Sequence, residues 1–323
     1  MRAPDGTTYE LNGPEDGARV VLIHGLGLLR RMWDPHVERF VAPRREPVPC
    51  DQHGTRPPAP MGGRIATDQA AAASDVGGAI NLVEPAGRSG PPRAAAHLSD
   101  ERRGSGYRVL SYDLYGHGES GPPPETPSLT VYSEQLRGLM DHVGWDAAHI
   151  VGFSLGGMIN RRFAIDHPER AFSLAILASP HERGEAAQEL VEQRARDSAQ
   201  GPAATLDAAI ERWFAPGFRA ANPDYINQVR EWVLANDPAN YAACRWVLAN
   251  GVRELIRPEP PITHPTLVMT AEHDSGSTPA MTRAIASEIA GAKTIIVPDL
   301  QHMGLVEDVA AFTDPIIDFL ETL

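Results

Sequence analysis

Residues 152–156, Gly-Phe-Ser-Leu-Gly, constrain the fold of this chain more than any other feature of its sequence. They end a short apolar run at residues 149–153 and open a helical segment at residues 156–167. A serine at such a strand-to-helix junction is typical of a tight, strained turn that lifts its hydroxyl above a sheet. Side chains two residues to either side would collide there, and the helix N-terminus adds partial positive charge near a developing oxyanion. We therefore predict that Ser154 is a nucleophile.

Short apolar runs alternate with helical patterns along most of the chain. The predicted strands are residues 20–23, 108–112, 149–153, 172–178, 266–270 and 294–297. Between the second and the third strand, apolar residues recur every three or four positions from Leu129 to Val143, which predicts a helix that Gly144 ends. The alternation predicts an α/β protein with a doubly wound, mostly parallel sheet.

Two stretches interrupt this alternation and divide the predicted core into residues 1–42, 105–180 and 262–323. Residues 43–104 contain nine Pro, eight Gly and no aromatic residue, so they cannot bury enough apolar surface to offset their ordering entropy. We predict a disordered insertion, which a gene-model artefact could explain, with a partner-binding segment as the alternative. Residues 181–261 are helical in pattern and fall where a cap over the site would be inserted.

A serine hydroxyl needs a base before it can attack, and the base needs an acid to orient it. His302 follows the last predicted strand and Asp274 follows the fifth, so both lie at carboxyl ends of strands, which meet at one edge of a parallel sheet. The chain order of serine, acid and histidine suits this architecture. We predict His302 as the base and Asp274 as the acid, with Glu272 and Asp299 as rival acids.

The turn after the first strand, His24-Gly25-Leu26-Gly27, is rich in glycine and can direct a backbone N–H group towards Ser154. We predict that the N–H groups of Leu26 and Leu155 form an oxyanion hole. His24 itself, and His117 after the second strand, are expected to be structural.

The cap segment carries aromatic and cationic side chains that could contact a substrate. Trp213 is assigned to the pocket, although aromatic residues of a cap more often pack its helices together. Arg212 and Arg245 could bind a substrate carboxylate, and the alternative for both is an ordinary exposed arginine.

The composition argues against several classes of function. A net charge of −13 without a basic run disfavours binding to nucleic acid or to an anionic membrane surface. Two cysteines, Cys50 and Cys244, provide neither a disulfide framework nor the spacing of a metal site.

The first residues lack an apolar signal core, and no apolar run approaches the roughly 20 residues of a membrane span. We expect a cytoplasmic protein, and no pattern in the sequence decides its oligomeric state.

These motifs resemble the α/β-hydrolase superfamily over nearly all of the chain except residues 43–104. The matching pieces are His24-Gly25, residues 116–120 (GHGES), residues 152–157 (GFSLGG), Asp274 and His302. A narrower likeness to 3-oxoadipate enol-lactonases rests on residues 32–34 (MWD), 212–218 (RWFAPGF) and 240–244 (NYAAC).

The likeness to the enol-lactonases has departures. Residues 43–104 are foreign to that family, Ala271 stands where a glycine is usual before the acid, and residues 180–183 (PHER) are not a typical entry into the cap. The family hydrolyses an enol-lactone bearing a carboxylate in aromatic degradation. The resemblance therefore implies the class of reaction more firmly than the substrate.

The expected reaction is acyl transfer from a small-molecule ester or lactone, possible without a metal or an organic cofactor. A C–C bond hydrolase or a cofactor-free perhydrolase on the same triad is the first alternative. A ligand-binding protein with vestigial hydrolysis is the second. Epoxide hydrolases and haloalkane dehalogenases are disfavoured, because those families place Asp where this chain has Ser154.

Overall fold

The computed structural model describes residues 1–43 and 106–323 of the chain. The predicted insertion at residues 43–104, with Cys50 in it, lies outside the described residues apart from Pro43.

A seven-stranded sheet forms the centre of the fold, in the order β1-β3-β2-β4-β5-β6-β7. The strands are β1 Tyr9–Asn12, β2 Arg19–Ile23, β3 Arg108–Tyr112, β4 Ala148–Phe153, β5 Ala171–Leu177, β6 Thr266–Ala271 and β7 Lys293–Val297. All neighbours are parallel except β1, which pairs antiparallel with β3 at the edge. The mostly parallel sheet predicted from the sequence is confirmed.

The central strands are buried on both faces, because helices cover the sheet from both sides. Val20 to Ile23 of β2 are fully buried, as is Val151 of β4. The core helices are α1 Asp34–Val41, α2 Leu129–His142, α3 Leu155–Asp166, α9 Pro279–Ser287, α10 Gly304–Glu307 and α11 Val309–Leu320. On α2, the apolar face predicted from the sequence is buried against α3, and each large side chain buried there contributes roughly 1.5–3 kcal/mol.

Local sequence signals set the ends of these helices. Ser128 caps α2 by accepting a hydrogen bond from the Val131 N–H, and Thr278 caps α9 in the same way. Gly144, at φ +72°, follows the end of α2 in the left-handed conformation that favours glycine.

Five further helices are inserted between β5 and β6 as a helical cap. They are α4 Glu185–Asp197, α5 Ala203–Trp213, α6 Pro216–Ala221, α7 Pro223–Leu234 and α8 Pro238–Asn250. The cap contacts the core through buried polar groups as well as apolar ones. The Tyr132 hydroxyl of α2 lies 2.7 Å from Cys244 Sγ of α8, and Asn236 donates to the Gly27 carbonyl at 3.2 Å. The cap is thereby attached to the turn that follows β2.

A search of the described residues finds no helix with the length and apolar character that crossing a bilayer requires.

Candidate active site

Ser154 occupies the turn between β4 and α3 in a strained backbone conformation. Its φ of 55° and ψ of −111° are unfavourable for a residue with a side chain, and such strain costs roughly 1–3 kcal/mol. The glycines on either side are required sterically. A Cβ on Gly152 would lie 2.1 Å from the Gly156 carbonyl oxygen, and a Cβ on Gly156 would lie 2.3 Å from the Ile23 carbonyl oxygen. Only glycine lets the chain pass this closely under the serine.

His302 and Asp274 form a hydrogen-bonded pair. The distance from His302 Nδ1 to Asp274 Oδ2 is 2.7 Å, and the Asp274 side chain is wholly buried. Asp274 Oδ1 accepts the backbone N–H groups of Gly276 and Ser277, both at 2.8 Å. These bonds hold the carboxylate in one orientation, so that its other oxygen is directed at the imidazole.

The rival acids lie elsewhere. Glu272 and Asp299 are exposed, and Glu272 Oε2 accepts the Asp299 backbone N–H at 3.2 Å. The acid that contacts His302 in the structure is Asp274.

Ser154, Asp274 and His302 all line one cavity between the sheet edge and the cap. The volume of the cavity is about 100 Å³. Trp213 also lines it, with its ring centroid 6.5 Å from that of His302. Phe153 also lies near the imidazole, with 5.0 Å between the ring centroids. Two aromatic rings therefore neighbour the histidine.

The remaining aromatic residues of the cap mostly pack its helices together. Phe214 is fully buried and stacks on Phe218 at 5.6 Å, and Trp232 lies edge-on to Tyr225 at 6.2 Å. Trp246 is 47% exposed.

The two predicted oxyanion donors occupy suitable places. Leu155 is the first residue of α3, so its N–H group has no acceptor within the helix. Leu26 lines the cavity in the turn after β2, and a Cβ on the preceding Gly25 would lie 3.3 Å from Ser154 Cβ. This turn therefore passes directly beside the serine.

His24 holds that turn in place rather than facing the cavity. Its Nε2 accepts the Leu114 N–H at 3.0 Å, which leaves Nδ1 to donate to the Gly25 carbonyl at 2.7 Å. Burial lowers the pKa of His24 to about 4, and burial lowers the pKa of the neighbouring His117 to about 3. Both imidazoles are neutral at pH 7, as expected for structural residues.

Asp113 is a residue that the sequence reasoning missed. It follows β3, is fully buried, and accepts both the backbone N–H and the guanidinium of Arg30, at 2.7 and 2.6 Å. Arg30 ends the turn that carries Leu26, so this pair fixes the far end of the turn. The sequence does carry a signal for Asp113, because an acidic residue directly follows the predicted strand at residues 108–112.

Arg212 and Arg245, the two candidates for binding a substrate carboxylate, both line the cavity, and so do Arg183 and Arg194. Burial lowers the pKa of Arg183 to about 10, and burial together with the charges of Arg194 and Arg245 lowers the pKa of Arg212 to about 10. Arg183 and Arg212 therefore remain cationic at neutral pH. The sequence reasoning had no signal that would select Arg183 and Arg194.

One group of side chains within the described ranges could offer three ligands to a metal ion. Glu272, His273 and Asp299 place one ligand atom each within 4.8 Å of one another. All three are exposed, and exposed acidic groups are common without an ion. We assign this group no role.

The chain is similar to several known hydrolases. A family model described as the alpha/beta hydrolase fold matches residues 84–197. The chain is 29% identical to 3-oxoadipate enol-lactonase 2 of Acinetobacter baylyi over 208 residues, which are 64% of this chain and 76% of that protein. It is 25% identical to (E)-2-((N-methylformamido)methylene)succinate hydrolase of the same organism, over 61% of this chain and 74% of that one.

Among solved structures, the enol-lactonase from Burkholderia xenovorans LB400 has a similar fold. Its TM-score is 0.70 at 24% identity, and the alignment covers 98% of this chain and 97% of that one. At this identity the likeness establishes the fold.

Proposed function

We propose that this chain, which is similar to proteins of the α/β-hydrolase superfamily, is a serine hydrolase that cleaves a carboxylic ester or a lactone through an acyl-enzyme. The observation that carries this proposal is the geometry around Ser154. A serine on a strained turn shares a cavity with a histidine whose Nδ1 is 2.7 Å from a buried carboxylate.

In the proposed mechanism, Ser154 Oγ attacks the carbonyl carbon while His302 Nε2 takes the hydroxyl proton. Asp274 holds the imidazole in the tautomer with a proton on Nδ1 and stabilises the imidazolium. The N–H groups of Leu26 and Leu155 bind the oxyanion of the tetrahedral intermediate. His302 then gives its proton to the leaving oxygen, and an acyl-enzyme remains.

The second half of the reaction uses the same groups. A water molecule gives a proton to His302 and attacks the acyl carbon, and the product acid leaves as Ser154 recovers its proton. No step requires a metal or an organic cofactor. Residues 181–261 would act as the cap that encloses the substrate, because Trp213 and the arginines of α4, α5 and α8 line the cavity.

Two substrate types are supported by the relatives. The enol-lactonase relative favours 3-oxoadipate enol-lactone, as do the cap motifs at residues 212–218 and 240–244. The succinate hydrolase relative favours a substrate derived from a dicarboxylic acid. A cytoplasmic role in the breakdown of aromatic compounds belongs to the first of these proposals.

The test is steady-state kcat/KM on p-nitrophenyl acetate and on 3-oxoadipate enol-lactone, with the wild type, Ser154→Ala and Ser275→Ala. Ser275 is an exposed serine that also lines the cavity, so it is a matched control. We expect Ser154→Ala to lower kcat by about 10⁴-fold or more on both substrates, and Ser275→Ala to keep most of the activity. Retention of more than about a tenth of the rate by Ser154→Ala would refute the nucleophile assignment.

A further inference from the structure

Four arginines surround the cavity that holds Ser154, in a protein whose net charge is −13. Arg183 precedes α4, Arg194 lies on α4, Arg212 on α5 and Arg245 on α8. Within residues 1–43 and 106–323, none of the four forms an ion pair, and Asp274 is the one acidic residue that lines the cavity. Since Asp274 is engaged by His302, the positive charges of the cavity are not neutralised by the protein.

Arg245 makes the strongest case for a ligand. Only 8% of the residue is exposed, and no protein acceptor for its guanidinium is found in the described part of the chain. Burial of a charged group is unfavourable unless the charge is paired. A guanidinium that borders the cavity without a protein partner is available to bind an anion there.

The four arginines form two groups at the cavity, and each group is called a cationic place. Arg194, Arg212 and Arg245 line the cavity together, and the charges of Arg194 and Arg245 contribute to the lowered pKa of Arg212, so we treat these three as one cationic place. Arg183 Nη1 instead lies 3.3 Å from the carbonyl oxygen of Ala249, one helical turn beyond Arg245. Arg183 is therefore held at the last turn of α8 by a backbone carbonyl, and it forms the second cationic place.

From this arrangement we propose that the cavity binds a substrate with two carboxylate groups, one at the Arg194–Arg212–Arg245 cluster and the other at Arg183. Four guanidiniums against one buried carboxylate leave three excess positive charges around the cavity. A monoanionic substrate would leave most of that excess uncompensated, whereas a dianionic substrate compensates both places. The two carboxylates also fix the substrate at two points, which orients the scissile carbonyl at Ser154.

This inference rests on the proposed function, and it decides between the substrate types named above. An ester or lactone with a single carboxylate occupies one cationic place. A derivative of a dicarboxylic acid occupies both, so we expect the better substrates to carry two carboxylates besides the ester or lactone carbonyl.

The test measures binding apart from turnover. Isothermal titration calorimetry on the Ser154→Ala protein compares adipate with hexanoate, which has the same chain length and one carboxylate fewer. We expect adipate to bind at least tenfold more tightly. Arg194→Gln is expected to weaken both acids, and Arg183→Gln to weaken adipate to the level of hexanoate while leaving hexanoate unchanged.

Arg196→Gln is the matched control, because Arg196 lies on the same helix as Arg194 but is exposed and does not line the cavity. Its affinities should equal those of the parent protein. Arg183→Lys should restore part of the preference for adipate, since it returns a positive charge. If Arg183→Gln does not fold, inhibition of wild-type p-nitrophenyl acetate hydrolysis by the two acids measures the same preference.

Equal affinity of the two acids, or failure of both to bind at millimolar concentration, would overturn the inference. So would an equal effect of Arg183→Gln on both acids. These outcomes are distinct from failure of the proposed function, which is a loss of Ser154 dependence in wild-type hydrolysis and does not involve the diacid at all.

Discussion

The neutral imidazole of His24 predicts a specific loss of stability in mild acid. Its Nε2 accepts the Leu114 N–H at 3.0 Å, so a proton on Nε2 would place two donors against each other. Burial lowers its pKa from 6.5 to about 4, and the charge of Arg30 acts in the same direction, while the hydrogen bond to Gly25 opposes the shift. His24→Gln removes the titrating group, and the glutamine carbonyl can still accept the Leu114 N–H.

The direction and size of the effect follow from proton linkage. The folded-state pKa of about 4 lies below the unfolded value of 6.5, so the unfolded chain binds the proton first as the pH falls. The contribution of His24 is complete above pH 6.5 and is lost as the pH falls towards 4. Between pH 7 and pH 5 the loss is about 2 kcal/mol, with a slope approaching about 1.4 kcal/mol per pH unit.

Urea unfolding followed by circular dichroism at pH 5, 6 and 7 measures this contribution as the difference between the wild type and His24→Gln. We expect that difference to shift by about 2 kcal/mol across the range. Asn160→Ala is the control, because Asn160 is fully buried and hydrogen-bonded to two carbonyl groups but does not titrate. A difference that is the same at pH 5 and pH 7 would show that His24 is not held neutral by the fold.

Two further predictions concern the turn and the triad. Asp274→Asn should lower kcat on p-nitrophenyl acetate by about 10⁴-fold, because the imidazole loses the group that fixes its tautomer; a fall of less than tenfold contradicts that role. Gly156→Ala should destabilise the protein or prevent folding, because its Cβ would lie 2.3 Å from the Ile23 carbonyl oxygen. Gly138→Ala on α2, where no atom lies within 4 Å of the added Cβ, should instead stabilise by up to about 1 kcal/mol. Thermal melting of both variants separates a steric requirement for glycine at residue 156 from the effect of helix propensity. Equal shifts of the two melting temperatures would exclude the steric requirement.

Most of the sheet could be predicted from the sequence because its strands are buried on both faces. Six strands were predicted from short, mostly apolar runs, and those in the centre of the sheet show the pattern that a covered parallel sheet imposes. The seventh, β1, was missed. It has four residues, only Tyr9 among them is buried, and it pairs antiparallel at the sheet edge, so it lacks that pattern.

The first core helix begins where a local sequence signal marks its start. Arg30–Trp33 form a 3-10 turn and α1 begins at Asp34. Pro35 lies in the first turn of α1, where the absent N–H of proline does no harm. Pro35 is therefore the sequence signal that marks the start of α1.

The arginines of the cap could not be selected from the sequence, for a physical reason. The 29 Lys and Arg residues include a single lysine, Lys293, so arginine is simply the ordinary cation of this chain. Arg194 and Arg196 are two positions apart on α4, which is more than half a turn of helix. One lines the cavity and the other is exposed, and only the packing of α4 against α8 and α5 determines which.

The structure thus separates the groups that activate the serine from those that select the substrate. Ser154, Asp274 and His302 lie just beyond the carboxyl ends of β4, β6 and β7, where the sheet fixes their positions. Three of the four cavity arginines lie on cap helices, and none is hydrogen-bonded to His302 or Asp274 in the described residues. A neutral ester needs only the first set, so p-nitrophenyl acetate should be turned over by Arg194→Gln nearly as well as by the wild type. A dianionic ester needs both sets, and its KM should rise in that variant while the Ser154 dependence of kcat remains.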